Sequence, residues 1–373
     1  MEKVPALNPP QRILMGPGPS NVHPRVYQAL ATPIIGHLDP EFLNIMNDIQ
    51  NLLRYVFQTK NPFTIAISGT GSAGMEAALV NVIEPGETVI VGVNGVFGGR
   101  MSEIVRRCGG NLIQIKAPWG EVIDPQRMED ALKTAGKVKA VALVHAETST
   151  GALQPILEIS QLCKQYGALL IVDAVTSLGG VPVKVDEWQI DVCYSGTQKC
   201  LSCPPGLAPI TFSAAALTAA RNRQTKVQSW YLDVTLIADY WADSKRAYHH
   251  TAPISMNYAL REALRLVQEE GLEARFERHR RHTLELITGL QQLDLSPLVA
   301  EKHRLPSLTS VKLPAGVEEV KVRKTLLNEY NIEIGGGLGD LAGKIWRVGL
   351  MGESSRKVNV VYLLAALEEI LQK

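Results

Sequence analysis

Two ionisable residues sit where strands are expected to end. The apolar run Ala168-Leu169-Leu170-Ile171-Val172 closes on Asp173, and the run Ile190 to Tyr194 passes through Ser195-Gly196-Thr197-Gln198 into Lys199. Each run has the length of a buried strand, so an acid and a lysine are expected at two strand tips. A third stretch has a different chemistry. Phe63 to Ile67 reads as a strand, Ser68-Gly69-Thr70-Gly71-Ser72-Ala73-Gly74 as a turn of small residues, and Met75 to Ile83 as a helix. Strand, small-residue turn and helix start is the arrangement that binds phosphate through backbone N–H groups and the helix dipole, with Thr70 and Ser72 adding hydroxyl donors.

Each of these has a plainer reading alone: Lys199 as a solvated loop lysine, Asp173 as a helix cap. Together they meet the needs of pyridoxal phosphate, which requires a lysine for its Schiff base, an acid beside its pyridine nitrogen and backbone donors for its phosphate. A dinucleotide competes for the same turn, because Gly69-x-Gly71-x-x-Gly74 has the fingerprint spacing. The acid expected about 20 residues further on is absent, since the next strand ends in Asn94. The turn also lacks the lysine of a nucleotide P-loop.

The elements that must position these groups alternate. Strands are expected at Thr88 to Val93, Asn111 to Ile115 and Lys139 to Val144, with helices at Phe97 to Arg107, Pro125 to Ala135 and Pro155 to Tyr166. Such alternation predicts a mostly parallel sheet covered on both faces, with its ligand outside the carboxyl ends of the strands. Thr70, Ser72, Phe97, Thr148, Asp173 and Lys199 all follow strand ends, which gathers them on one edge. Phe97 is either core or a stacking face for a flat ring. Upstream, Asp39 to Gln58 is helical by its apolar spacing, and residues 12–40 read as turn-rich, non-helical backbone around Gly16-Pro17-Gly18-Pro19-Ser20, a surface arm or a close approach to a ligand.

After Lys199, Ala208 to Phe212 is a further strand and residues 221–252 read as irregular and aromatic, with His249-His250 as a partly buried loop. Ser255 to Gln268 and Leu272 to Leu293 are helices. A smaller αβ unit follows from about residue 295, with strands at Thr309 to Leu313, Ile332 to Ile334 and Lys344 to Gly349, helices at Val317 to Tyr330 and Lys357 to Leu371, and a flexible Gly335-Gly336-Gly337-Leu338-Gly339 turn. Arg347 lies inside an apolar strand, where a charge is costly unless paired. Its partner is either a neighbouring glutamate or, through its two-pronged fork, a substrate carboxylate.

Composition sets the outer bounds. The 373 residues are 46% hydrophobic, enough for one large and one smaller domain. With 38 basic and 37 acidic residues no nucleic-acid partner is expected. No apolar stretch reaches the roughly 20 residues of a membrane helix. Met1 to Gln11 is not expected to act as a signal peptide, nor Leu371-Gln372-Lys373 as a peroxisomal address. Five scattered cysteines, at 108, 163, 193, 200 and 203, suit free thiols in a reducing cytosol. The pair Cys200-x-x-Cys203 has no second pair nearby with metal spacing, so no metal is expected.

The motifs as a set carry a resemblance. They are Gly16-Pro17-Gly18-Pro19-Ser20-Asn21, Ser68-Gly69-Thr70-Gly71, Glu147-Thr148-Ser149-Thr150-Gly151, Val172-Asp173-Ala174-Val175, Ser195-Gly196-Thr197-Gln198-Lys199, Tyr248-His249-His250-Thr251 and Arg347-Val348-Gly349. The chain resembles class V, fold-type I pyridoxal-phosphate aminotransferases, most closely the alanine–glyoxylate/serine–pyruvate group. The resemblance implies an α/β large domain with a mostly parallel seven-stranded sheet between helices and a smaller C-terminal α+β domain. The corresponding divisions are an arm (1–22), a cofactor domain (23–275) and a small domain (276–373). It also implies a homodimer with shared active sites, acting in the cytoplasm on small amino acids and 2-oxo acids.

Carried over residue by residue, Lys199 bears the cofactor and shuttles a proton, and Asp173 pairs with the pyridine nitrogen. Thr70, Gly71, Ser72 and Gln198 hold the phosphate, and Tyr248 and Thr251 reach the phosphate of the other subunit. Thr148 contacts the ring hydroxyl, with Phe97 and Val175 on the ring faces. Arg347, with Gly18 and Thr148 nearby, takes the substrate carboxylate. The expected reaction moves the amino group of L-alanine or L-serine to glyoxylate. Alternatives are another small-amino-acid transaminase of this class, a dinucleotide-dependent dehydrogenase and a non-catalytic scaffold. Cysteine desulfurases of the same superfamily need a cysteine in a late loop, and none follows Cys203.

Overall fold

Seven strands form one sheet in the computed structural model, which describes residues 3–242 and 246–372. In chain order they are β1 (Thr64–Ser68), β2 (Thr88–Val93), β3 (Asn111–Lys116), β4 (Val138–Val144), β5 (Leu169–Asp173), β6 (Val192–Tyr194) and β7 (Leu207–Phe212). Their spatial order is β1-β7-β6-β5-β4-β2-β3, and β7 alone runs antiparallel to its neighbours. Helices cover both faces, so the strands read as continuous apolar runs rather than alternating ones; every residue of β7 is buried. All seven expected strands are present, and the register of β5 against β6 sets Asp173 opposite Tyr194.

Helix α1 (Pro40–Phe57) starts where Asp39 accepts from the Glu41 N–H and Pro40 fills the first turn, and it stops at Gln58 in a left-handed conformation (φ 50°). Its stripe of Phe42, Met46, Ile49, Leu53 and Val56 is buried. Helix α2 (Gly71–Val80) begins earlier than the Met75 expected from sequence. The glycines there serve packing: a Cβ on Gly74 would lie 3.0 Å from the Ala208 Cβ and 3.4 Å from the Tyr194 Cβ, so the helix lies directly on β6 and β7. Helix α3 (Val96–Arg107) follows β2.

Three expectations are corrected. Residues 12–40 contain a helix, Pro24–Leu30, whose cap is His23 and whose first residue is a proline. Residues 221–252 hold a helix, Val234–Trp241, capped by Asp233, which buries Val234, Ile237, Tyr240 and Trp241; residues 243–245 of that stretch lie outside the described residues. Gly335–Gly336 is not a loose turn but a strand, held by pairing with Trp346 and Arg347.

Helices α4 (Ile254–Glu270) and α5 (Leu272–Gln292) lead into the C-terminal unit. There β8 (Leu308–Lys312), β9 (Gly335–Gly336) and β10 (Ile345–Gly349) form an antiparallel sheet in the order β8-β10-β9, and α6 (Lys357–Gln372) closes the unit. Its core includes Trp346, Val348, Leu326 and Leu363. Met15 joins that same core, and Ile13–Leu14 pairs in parallel with Ile332–Glu333. The middle of the supposed arm is therefore built into the C-terminal unit. Met15→Ala should destabilise the protein by about 2–4 kcal/mol, the usual cost of emptying a buried site. Chemical denaturation measures it, and an unchanged midpoint would mean that residues 13–15 do not belong to this core.

Candidate active site

Strands β5 and β6 bring Asp173 and Tyr194 side by side. Asp173 is 2% exposed. Its Oδ1 accepts from the Val175 N–H and its Oδ2 from the Tyr194 hydroxyl, both at 2.8 Å. Burial pushes this carboxyl up to about 6, against the two donors and the Lys199 charge.

The turn beyond β6 carries Lys199 into a buried position, where Nζ donates to the Pro17 carbonyl. Burial pushes its ammonium down to about 8; Cys200 and Asp173 oppose that shift and Arg347 adds to it. Gly18, at φ 101°, passes so close that a Cβ would sit 2.6 Å from the Lys199 Cδ and 2.7 Å from Nζ. Ser20 fixes the same turn from outside: its N–H donates to the Gln198 carbonyl at 2.9 Å and its hydroxyl to the Lys199 carbonyl at 2.7 Å.

Across Pro17 and Gly18 lies Arg347, from β10. Its Nε donates to the Gly336 carbonyl at 2.7 Å and its Nη1 to the Thr148 carbonyl at 3.1 Å. Among the described residues the guanidinium meets carbonyls, not a carboxylate in ion-pair contact, so the glutamate partner weighed from sequence is not there. Burial lowers its pKa to about 10, with the Glu147 charge opposing and Arg323 reinforcing. Gly335 joins the two sides, since a Cβ on it would meet the Pro17 Cδ at 2.5 Å and the Arg347 Nη2 at 3.6 Å.

The start of α2 forms the third wall. Thr70 is its N-cap residue but makes no side-chain cap bond, and no acid lies in the first turn. The exposed hydroxyls of Thr70 and Ser72 and the N–H groups of Gly71 and Ser72 are left for another acceptor, the Ala73 N–H donating to the Thr70 carbonyl at 2.8 Å. Gly71 and Gly196 approach closely, a Cβ on Gly71 lying 3.4 Å from the Gly196 Cα. The Gln198 Oε1 is buried without a partner beside them; turning the amide over would aim its N–H₂ there instead.

Phe97, half-buried in the first turn of α3, has the Arg100 guanidinium carbon 4.9 Å from its ring centroid. Its N–H donates to the Glu147 Oε2 at 3.2 Å. Glu147 is fully buried, accepts from the Ser149 N–H at 3.0 Å and hydroxyl at 2.5 Å, and is pushed up to about 7 by burial. The hydroxyls of Thr148 and Thr176 bond one another, and Val175 faces the Gly71 backbone. Tyr248 and Thr251 stand apart, exposed at the surface with their hydroxyls 3.4 Å from each other. Cys200 and Cys203 are buried thiols raised by burial, Cys200 donating to the Thr176 carbonyl at 3.5 Å.

Sequence reasoning missed Tyr194, Glu147 and Pro17. Tyr194 carried a signal, because a tyrosine at a buried strand end needs a partner for its hydroxyl. The residues fit pyridoxal phosphate on three observations: uncapped helix donors beside an orphaned Gln198 amide, a buried carboxyl with no cation bonded to it, and a buried lysine drawn toward its neutral form.

The sequence matches the family described as Aminotransferase class-V over residues 24–344. The crystal structure of an alanine–glyoxylate aminotransferase from Nostoc sp. is 52% identical, with a TM-score of 0.97 over 99% of this chain and 98% of that one. The (S)-ureidoglycine–glyoxylate transaminase of Bacillus subtilis is 44% identical, covering 97% of this chain and 91% of its own. The alanine–glyoxylate aminotransferase of Rattus norvegicus is 42% identical, over 98% and 89% respectively.

A raised carboxyl stabilises the folded state fully below its unfolded value, and that contribution is lost as pH rises through the folded one. For Asp173 the window runs from 3.8 to about 6, worth on the order of 2–3 kcal/mol. Asp173→Asn should therefore flatten the fall in melting temperature of the cofactor-free protein between pH 4 and pH 7. An identical slope in the two proteins would remove Asp173 as its source.

Proposed function

The chain belongs to the class-V aminotransferases, and from that premise we propose that it moves the amino group of L-alanine or L-serine to glyoxylate, releasing pyruvate or hydroxypyruvate and glycine. Its cofactor is pyridoxal 5′-phosphate. The observation that carries the reading is the pair Lys199 and Arg347, buried near Pro17, with no carboxylate bonded to either among the described residues.

When bound, the cofactor supplies the electron sink that lets an amino acid give up its α proton. The protein does the rest. Arg347 takes the substrate carboxylate through its planar fork, which fixes the α carbon relative to Lys199. Lys199, displaced from Pro17 and already shifted toward the neutral amine, accepts the α proton and returns it on the product side. Asp173 keeps the ring nitrogen protonated, and Tyr194 and the Val175 N–H hold its two oxygens in place. Thr70, Gly71, Ser72 and Gln198 would hold the phosphate, Phe97 and Val175 would bound the ring, and Thr148 would contact its hydroxyl. Gly18 leaves Lys199 room to move.

The working assembly is a homodimer in which Tyr248 and Thr251 complete the partner's phosphate site. Their exposure supports this, as does that of the neighbouring Trp230, 62% exposed, and Tyr231, 40% exposed. The unpaired cysteines support action in the cytoplasm. Glyoxylate is the acceptor named for both kinds of relative, while the donors named differ, so a second reading takes (S)-ureidoglycine as donor.

Initial rates with L-alanine and glyoxylate should give parallel double-reciprocal lines, since one amino group is handed over in two half-reactions. Arg347→Ala should raise KM about 100-fold for both, the worth of a charged hydrogen-bonded pair, with cofactor content unchanged. Intersecting lines would overturn the two-half reaction. A faster rate with L-serine or (S)-ureidoglycine would reassign the donor.

A further inference from the structure

Ser68 is the last residue of β1, just before the turn that opens α2. Its Oγ lies 2.7 Å from the His250 Nε2, and its carbonyl accepts from the Tyr231 hydroxyl at 3.0 Å. His250 Nδ1 lies in turn 2.7 Å from His249 Nδ1. His249 is 6% exposed and stacks on Trp230, with ring centroids 4.5 Å apart and planes 13° from parallel. Tyr240 meets His250 edge-on at 5.6 Å. An Nδ1-to-Nδ1 contact needs one ring to donate and the other to accept, so the accepting ring is neutral. Burial, with His249 adding to it, holds His250 down to about 4. In either tautomeric arrangement His250 Nε2 and the Ser68 hydroxyl complement one another.

These histidines lie between Tyr248 and Thr251, whose side chains face outward. One short segment thus grips its own subunit at Ser68 and presents two hydroxyls to whatever covers it. We propose that the Ser68–His250–His249 chain is a positioning device that ties the phosphate turn of one subunit to the segment serving the partner's phosphate, so that cofactor retention in the two sites is set together. The proposal rests on the homodimeric reading above. None of the three residues touches the reacting atoms; they act through the turn at Gly69–Gly71 and through Tyr248 and Thr251.

The test is the rate at which holoenzyme releases pyridoxal phosphate after dilution, followed by absorbance, for Ser68→Ala, His250→Ala, the double variant and His250→Gln. Each alanine variant should release cofactor about tenfold faster, the worth of one hydrogen bond, and the double variant no faster than either. His250→Gln, whose amide nitrogen can replace Nε2 toward Ser68, should stay within about threefold of the wild type by the same measure. With excess cofactor kcat should hold. In hybrid dimers carrying one His250→Ala subunit, both sites should release faster. Unchanged rates in both single variants, multiplying effects in the double variant, or a wild-type rate at either site of the hybrid would overturn the proposal. A wild-type protein that retains no pyridoxal phosphate would instead overturn the functional reading beneath it.

Discussion

Two ionisable groups of opposite sign are buried at one edge of the sheet and prevented from pairing. Both oxygens of Asp173 are taken, by Tyr194 and the Val175 N–H, while the Lys199 ammonium is turned to the Pro17 carbonyl. Each gives ground toward its neutral form, the carboxyl upward and the ammonium downward. An unpaired buried charge costs several kcal/mol, and a chain free to relax would bring the two together. The backbone forbids it. Asp173 is fixed by five-residue pairing between β5 and β4, and Lys199 by Ser20, which grips the two carbonyls of its turn.

Other segments approach these groups without side chains. Gly71 lies against Gly196 and Gly74 against Ala208 and Tyr194, which brings the helix start down onto the strand ends. Gly18 does the same from the N-terminal segment and Gly335 from the C-terminal unit, where a Cβ would collide with Lys199 and with Pro17 respectively. Glu147 applies the constraint to Phe97: a buried carboxyl collects the N–H groups of Phe97 and Ser149, and Gly95 leaves room for it. The walls around Lys199, Asp173 and Arg347 are thus largely close-packed backbone.

Much of this was legible in the chain. Apolar runs leading to Asp173 and Lys199, and a small-residue turn opening a helix, are local patterns whose plainer readings give way once they are taken together. What escaped reading was non-local. Nothing around Ile13–Leu14 announces pairing with Ile332–Glu333, and nothing within Gly335–Gly336 suggests a strand, because the order there comes from Arg347 and Trp346 alongside. Glu147 reads as a turn residue until the fold buries it. His249-His250 reads as a loop because its partners, Ser68 and Trp230, are distant or aromatic rather than ionic. Arg347 could be flagged as a costly charge, but only the fold shows that its partners are the Gly336 and Thr148 carbonyls.

The lysine and the arginine come from different units, so their spacing depends on a brace between them, and the first turns of α5 provide it. Arg275, 5% exposed, donates to the Gly179 carbonyl at 2.9 Å and the Cys200 carbonyl at 2.6 Å, immediately after Lys199. One turn on, His279 accepts from the Gly352 N–H at 2.9 Å, and Arg278 donates to the Gly352 and Ser355 carbonyls, in the loop after Arg347. Glu270 neutralises both arginines, which is why its carboxyl falls to about 2 despite burial. Charge-assisted bonds of this kind are short and directional, and here they link two loops through one rigid rod. The separation of Lys199 and Arg347 is therefore set by α5 as much as by the segments that carry them, rather than left to two units free to drift.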